Sequence, residues 1–149
     1  MDERVLRLKT PEECEIFARN ALERDRPDLD EQARKWSISL KAESHPGQSE
    51  VEKECRKAIH AYEATLTRKN GRTTRATRTW QMIERHGLLQ AVERAVNRPA
   101  ETAGYRALVE MGLKEFAFEA VILRHPVHFS EEAIRRARDR LSDWADAES

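Results

Sequence analysis

Apolar residues recur at intervals of three and four along nearly the whole chain, and no stretch alternates with period two, so the pattern predicts helices throughout. Thr10, Pro11 and Glu13 supply an N-cap hydroxyl, a proline at the first helical position and a glutamate three residues after the cap. The stripe Cys14, Phe17, Ala18, Ala21 and Leu22 follows. Arg26-Pro27-Asp28 interrupts it, and Leu29, Ala33, Trp36 and Leu40 mark a second helix. Together these predict an antiparallel hairpin that His45-Pro46-Gly47 ends. Ser49 and Glu52 form a second capping box, which opens a long third helix with Val51, Cys55, Ala58, Ile59, Tyr62 and Leu66 on one face.

Asn70-Gly71 stops that helix, because both residues tolerate the left-handed conformation that closes helices. Thr73 or Thr74 is the predicted cap of a fourth helix running through Trp80 and Ile83 to His86, and Gly87 ends it. A short fifth helix then fills Leu88–Asn97, before Pro99. Tyr105, Leu108 and Val109 mark a sixth, which stops at Gly112. The seventh, around residues 116–123, is the most apolar and is expected at the centre of the core. His125-Pro126 ends it. Ser130, with Glu131 and Glu132 at the positive end of the helix dipole, opens the last helix, where Ile134, Ala137, Leu141 and Trp144 face inward. The expected fold is all-α, a compact bundle of about eight short-to-medium helices. An N-terminal hairpin and the long third helix would pack on a five-helix C-terminal part. One domain over residues 1–149 is expected, with 68–73 as the candidate internal boundary.

Charged residues make up 36% of the 149-residue chain, so the core must come from narrow stripes rather than apolar runs. The longest such run, 117–123, is interrupted by Glu119 and is too short to span a bilayer. The first nine residues lack the apolar segment of a secretory signal. Cys14 and Cys55 have no CxxC spacing and sit in separate stripes, as free buried thiols of a reducing compartment do, so a cytoplasmic location is expected. Capped helices with complete stripes predict a monomer or weak homodimer that folds without a metal or a disulfide.

Charge changes the picture. The net charge is zero, yet residues 1–63 carry 12 cations and 15 anions, residues 64–98 carry 8 and 2, and residues 99–149 carry 7 and 10. A positive centre therefore sits between two acidic flanks. Within it, Arg68, Lys69, Arg72, Arg75 and Arg78 follow one another without a carboxylate, and Arg85 lies two turns further on. This is the electrostatic pattern of phosphate binding. If a helix starts near Thr74, Arg75 and Arg78 share a face beside its N-terminus, where free N–H groups and the dipole favour an anion, and the Thr74 hydroxyl adds a donor. Arginine suits that use because its planar fork bonds phosphate through two N–H groups. The bland alternative is a solvated basic turn neutralised by glutamates of the acidic flanks.

Other chemistry is sparse. Residues 80–96 read as helix, glycine and helix, the format of a helix-turn-helix regulator of bacterial type, but Glu93 falls where that motif wants an aliphatic side chain. Trp80 and Tyr62 lie near the basic run and can be drawn as stacking on bases, although both fall on apolar helix faces and read better as core. His125 and His128 have a metal-compatible spacing with no third ligand, and His60 and Glu63 form a single i, i+3 pair that reads as structural. No phosphate loop, dinucleotide fingerprint or serine elbow occurs, so no cofactor is expected. The expectation is a non-catalytic nucleic-acid-binding protein, DNA slightly ahead of RNA, contacting phosphates through Arg68, Lys69, Arg72, Thr74, Arg75, Arg78 and Arg85. The alternatives are a helical interaction module with an acidic protein partner and, third, a metal-dependent hydrolase or nuclease using the histidines.

Overall fold

A computed structural model describes residues 1–43, 48–98 and 102–148, and every regular element among them is helical. The fold is all-α, with nine α-helices and two 3₁₀ turns among the described residues. Contacts divide the chain into two compact units, Met1–Gly47 and Gln48–Ser149. Residues 68–73 lie inside the second of these. His45-Pro46-Gly47 and Pro99, expected as breaks, lie outside the described residues.

In the first unit, α1 (Glu3–Leu6) precedes the expected hairpin of α2 (Pro11–Glu23) and α3 (Pro27–Glu43). Thr10 caps α2 as the sequence predicts, its hydroxyl accepting from the Glu13 N–H at 3.1 Å. The turn between the two helices differs from expectation. Pro27 opens α3 rather than breaking the chain, and Asp25 takes the left-handed conformation (φ 59°) that lets the Arg26 N–H reach back to the Ala21 carbonyl at 2.8 Å. Leu29, Ala33 and Ile38 of α3 pack as core with Cys14, Ala18 and Ala21 of α2, and Trp36 donates its indole N–H to the Leu8 carbonyl at 2.8 Å. The short α1 has no counterpart in the sequence pattern, because four residues cannot show a helical repeat. It is held by an Asp2 cap and buried Val5.

The second unit is built on α4 (Glu50–Asn70), whose reciprocal Ser49–Glu52 capping box forms as expected. Gly71 closes it at φ 71°. After a linking strap come α5 (Thr77–His86) and α6 (Leu88–Asn97), joined through Gly87 alone at φ 85°. Next are α7 (Thr102–Glu110), a 3₁₀ turn over Lys114–Phe116, and α8 (Phe118–Arg124). A second 3₁₀ turn over Pro126–His128 leads to α9 (Glu131–Glu148). The seventh predicted helix is therefore shorter than expected, starting after Ala117, yet Val121 and Ile122 are fully buried at the centre of the core as anticipated. Val51, Cys55 and Ile59 of α4, Val92 and Val96 of α6, and Ala133 and Ala137 of α9 surround them.

The strap from Arg72 to Ala76 departs most from the sequence reading. Neither Thr73 nor Thr74 caps α5; the helix begins at Thr77 with Ala76 at the N-cap and no side-chain cap. Side chains of α4 hold the strap out of helical geometry. Thr67 Oγ1 accepts the Thr74 N–H at 3.0 Å, and Glu63 accepts the Ala76 N–H at 2.8 Å. Tertiary acceptors thus outcompete the local caps.

Candidate nucleic-acid interface

Glu63 organises the start of α5. Its side chain is nine-tenths buried, and one oxygen, Oε2, accepts both the Ala76 N–H and the Trp80 indole N–H, each at 2.8 Å. The other, Oε1, lies 3.0 Å from His60 Nδ1. Burial by itself would push the Glu63 carboxyl upward, but the hydrogen bonds from His60, Trp80 and Ala76 outweigh it and bring the pKa down to about 2. An ionised carboxylate only accepts, so His60 must carry its proton on Nδ1. The i, i+3 pair read as structural therefore is a structural anchor, and it locks Trp80 in place. The Trp80 ring also packs on His60 (centroids 5.5 Å apart) and under the Arg75 guanidinium, 5.8 Å from the centroid. Trp80 is consumed by this cluster, and Arg75 is positioned by it.

Arg68, Lys69, Arg72, Arg75, Arg78 and Arg85 are all exposed, and none forms an ion pair with a described carboxylate. This contrasts with Arg4, Arg26, Arg34, Arg124, Arg136 and Arg140, each of which pairs with an acidic side chain. Thr74 is engaged differently from expectation. Its hydroxyl donates to the Arg72 carbonyl at 2.9 Å and accepts from Asn70 Nδ2 at 3.1 Å, so its proton already stabilises the turn. The expected i, i+3 pairing of Arg75 and Arg78 on one helix face does not form, since Arg75 precedes α5.

What brings Arg75 and Arg78 together is a cavity of about 580 Å³ beside the α5 N-terminus. Thr77, Arg78 and Thr79, the first turn of α5, line it, and their backbone N–H groups have no acceptor within the helix. Ala58, Tyr62 and Leu66 of α4 contribute one wall, and Phe118 and Glu119 of α8 another. Arg98, after α6, and Arg140, from α9, add two further cations that the sequence did not group with the basic run. Tyr105 and Trp144, stacked with centroids 4.5 Å apart, complete the apolar lining. Tyr62 is the aromatic left partly open, 37% exposed, with Phe118 tilted against it at 6.4 Å.

Glu119 and Arg140 form the polar end of this cavity. Glu119 is 7% exposed, and its Oε2 accepts from Arg140 Nη1 at 3.2 Å. Arg140 also donates to the Arg98 carbonyl, and Arg136 to the Asn97 carbonyl at 2.7 Å, so two arginines of α9 satisfy the C-terminal carbonyls of α6. A carboxylate in the middle of the most apolar run was the one signal for this site in the sequence. Nothing there marked Arg140 as its partner 21 residues on.

Glu93 and His125 find structural employment. Glu93 accepts the Ser130 N–H at 2.6 Å, at the start of α9, which accounts for a glutamate where a helix-turn-helix wants an aliphatic residue. His125 Nε2 lies 3.1 Å from Glu54 Oε2, which Arg124 also contacts at 2.8 Å. His128 is exposed, and among the described residues no three His, Cys, Asp or Glu side chains converge on a metal position. No described helix is long and apolar enough to cross a membrane. The chain matches no protein-family model, no curated protein and no solved structure.

Proposed function

We propose that this protein binds nucleic acid without transforming it, holding phosphates with the cations of residues 68–85. DNA stands slightly ahead of RNA, in a cytoplasmic, regulatory setting. The observation that carries this reading is the clustering of exposed cations that no described carboxylate pairs. Arg68, Lys69, Arg72, Arg75, Arg78 and Arg85 follow one another within 18 residues, all exposed and none in an ion pair with a described carboxylate, whereas Arg4, Arg26, Arg34, Arg124, Arg136 and Arg140 each pair with an acidic side chain. An uncompensated run of cations repels itself and is relieved by an external polyanion, whose condensed counterions are released on binding. Arg75 is held over Trp80. Part of the ordering that phosphate binding requires is therefore already in place.

Electrophoretic mobility shift on duplex and single-stranded DNA and RNA, at two salt concentrations, tests the reading. If the five cations from Arg68 to Arg78 touch phosphates, log affinity falls against log salt with a slope of about −4 to −5, and Arg75→Ala with Arg78→Ala flattens it by about 2. The loss is alike for all sequences, because phosphate contacts position without reading bases. Absence of retardation of every nucleic acid at low salt overturns the proposal and leaves the basic segment as a contact for an acidic protein.

A further inference from the structure

We propose that the cavity beside α5 is a site for a single nucleotide whose base carries an exocyclic amine. This inference rests on the nucleic-acid reading and names the part of the ligand that enters the protein. The volume, about 580 Å³, falls in the usual range of small-ligand sites. Its lining is divided by chemistry. Arg75 and Arg78 stand at the α5 end with the first-turn amides, where a phosphate would be held by two guanidiniums and backbone N–H groups. Tyr62, partly open to solvent and braced by Phe118, offers a ring face for a base.

The polar end adds discrimination. Glu119 is 7% exposed and lines the cavity; its Oε2 accepts from Arg140, and its Oε1 accepts from no described residue. A carboxylate oxygen that lines a ligand-sized cavity and takes no donor from the described residues can accept one from a ligand, and the exocyclic amine of cytosine is such a donor. Uracil presents a carbonyl at the same position, which would face the carboxylate acceptor to acceptor. Two sources can supply the ligand, a free mononucleotide or the terminal nucleotide of a single strand, and the phosphate, ring and amine are common to both.

Isothermal titration of the full chain separates these possibilities. The probes are dCMP, dUMP, inorganic phosphate, and a 5′-phosphorylated deoxycytidine decamer with its deoxyuridine counterpart. The expected result is binding of dCMP about tenfold or more tighter than dUMP, as one well-made base contact gives, with inorganic phosphate weaker than either. Tyr62→Leu, which keeps apolar bulk at a half-open position, should weaken dCMP by about tenfold or more through loss of stacking. Thermal melting checks that the variant is folded. Arg68→Ala with Lys69→Ala, outside the cavity, should leave dCMP affinity unchanged while weakening retardation of long duplex DNA. Binding of the decamer with the same cytidine preference and Tyr62 dependence identifies a strand end as the source; dCMP binding alone identifies a free nucleotide. Equal binding of dCMP, dUMP and phosphate overturns the base site. Retardation of nucleic acid with no dCMP binding and no effect of Tyr62→Leu overturns this inference and leaves the phosphate-binding function standing. Failure of every probe, long nucleic acids included, removes both.

Discussion

Removing the Glu63 charge should show how much the start of α5 depends on one buried carboxylate. Glu63→Gln preserves size but leaves one acceptor oxygen and introduces a donor. Turned toward Ala76 and Trp80, that oxygen keeps both bonds, and the new amide meets His60 Nδ1, which must give up its proton there to accept. What is lost is charge assistance: bonds to an ionised group contribute about 1.5–3 kcal/mol each against about 0.5–1.5 for neutral ones, so the variant should be less stable by about 2 kcal/mol at pH 7. Glu63→Ala strands three donors instead, at about 1–3 kcal/mol each, and should lose at least about 3 kcal/mol. The sign of the pH dependence follows from the lowered pKa. The folded value, about 2, lies below the ordinary 4.5, so the stabilisation is complete above about 4.5 and is lost as pH falls toward 2. Urea unfolding followed by circular dichroism at pH 7, 5 and 3 should show the gap between wild type and Glu63→Gln holding from 7 to 5 and narrowing at 3. Equal stabilities at pH 7, or a gap that does not change with pH, would refute the anchoring role.

Two further outcomes follow from the same structure. Gly71→Val should lower stability by about 1 kcal/mol or more, since φ of 71° strains a β-branched residue although no atom stands within 4 Å of the added Cβ; an unchanged calorimetric melting temperature would contradict the left-handed helix end. Cys55, fully buried with its thiol pushed up to about 12 by burial and the nearby glutamates, should resist an aromatic disulfide reagent until urea unfolds the chain, and reaction at the rate of a free thiol under native conditions would contradict the core packing around α4.

The helices were legible because their caps and stripes are local. Thr10, Ser49, Gly71 and Gly87 act within a few residues of their own positions, and each does what its type predicts. The start of α5 was not legible, because Thr67 and Glu63 take the Thr74 and Ala76 N–H groups from about two turns and more away, and no local pattern reveals a tertiary acceptor. The basic run was visible as composition; the structure adds that its cations are exposed and that none pairs with a described carboxylate. Arg98 and Arg140 were invisible as members of a site because they come from the end of α6 and from α9, which only the fold brings to Arg75 and Arg78. Glu119 stood out as a charge inside the most apolar run. Its meaning needed Arg140 beside it.

The joints between α6 and α9 run in both directions. Glu93 of α6 takes the amide at the start of α9, while Arg136 and Arg140 of α9 close the carbonyl end of α6. Each helix supplies the terminal partners that the other lacks, so the pair is fastened like a double buckle rather than by face-to-face packing alone. Arg140 belongs to the buckle and to the cavity at once. Displacing the Arg140 side chain would therefore release one bond of the fastening and one wall of the cavity together. One side chain thus serves both the seating of the C-terminal helix and the shape of the cavity.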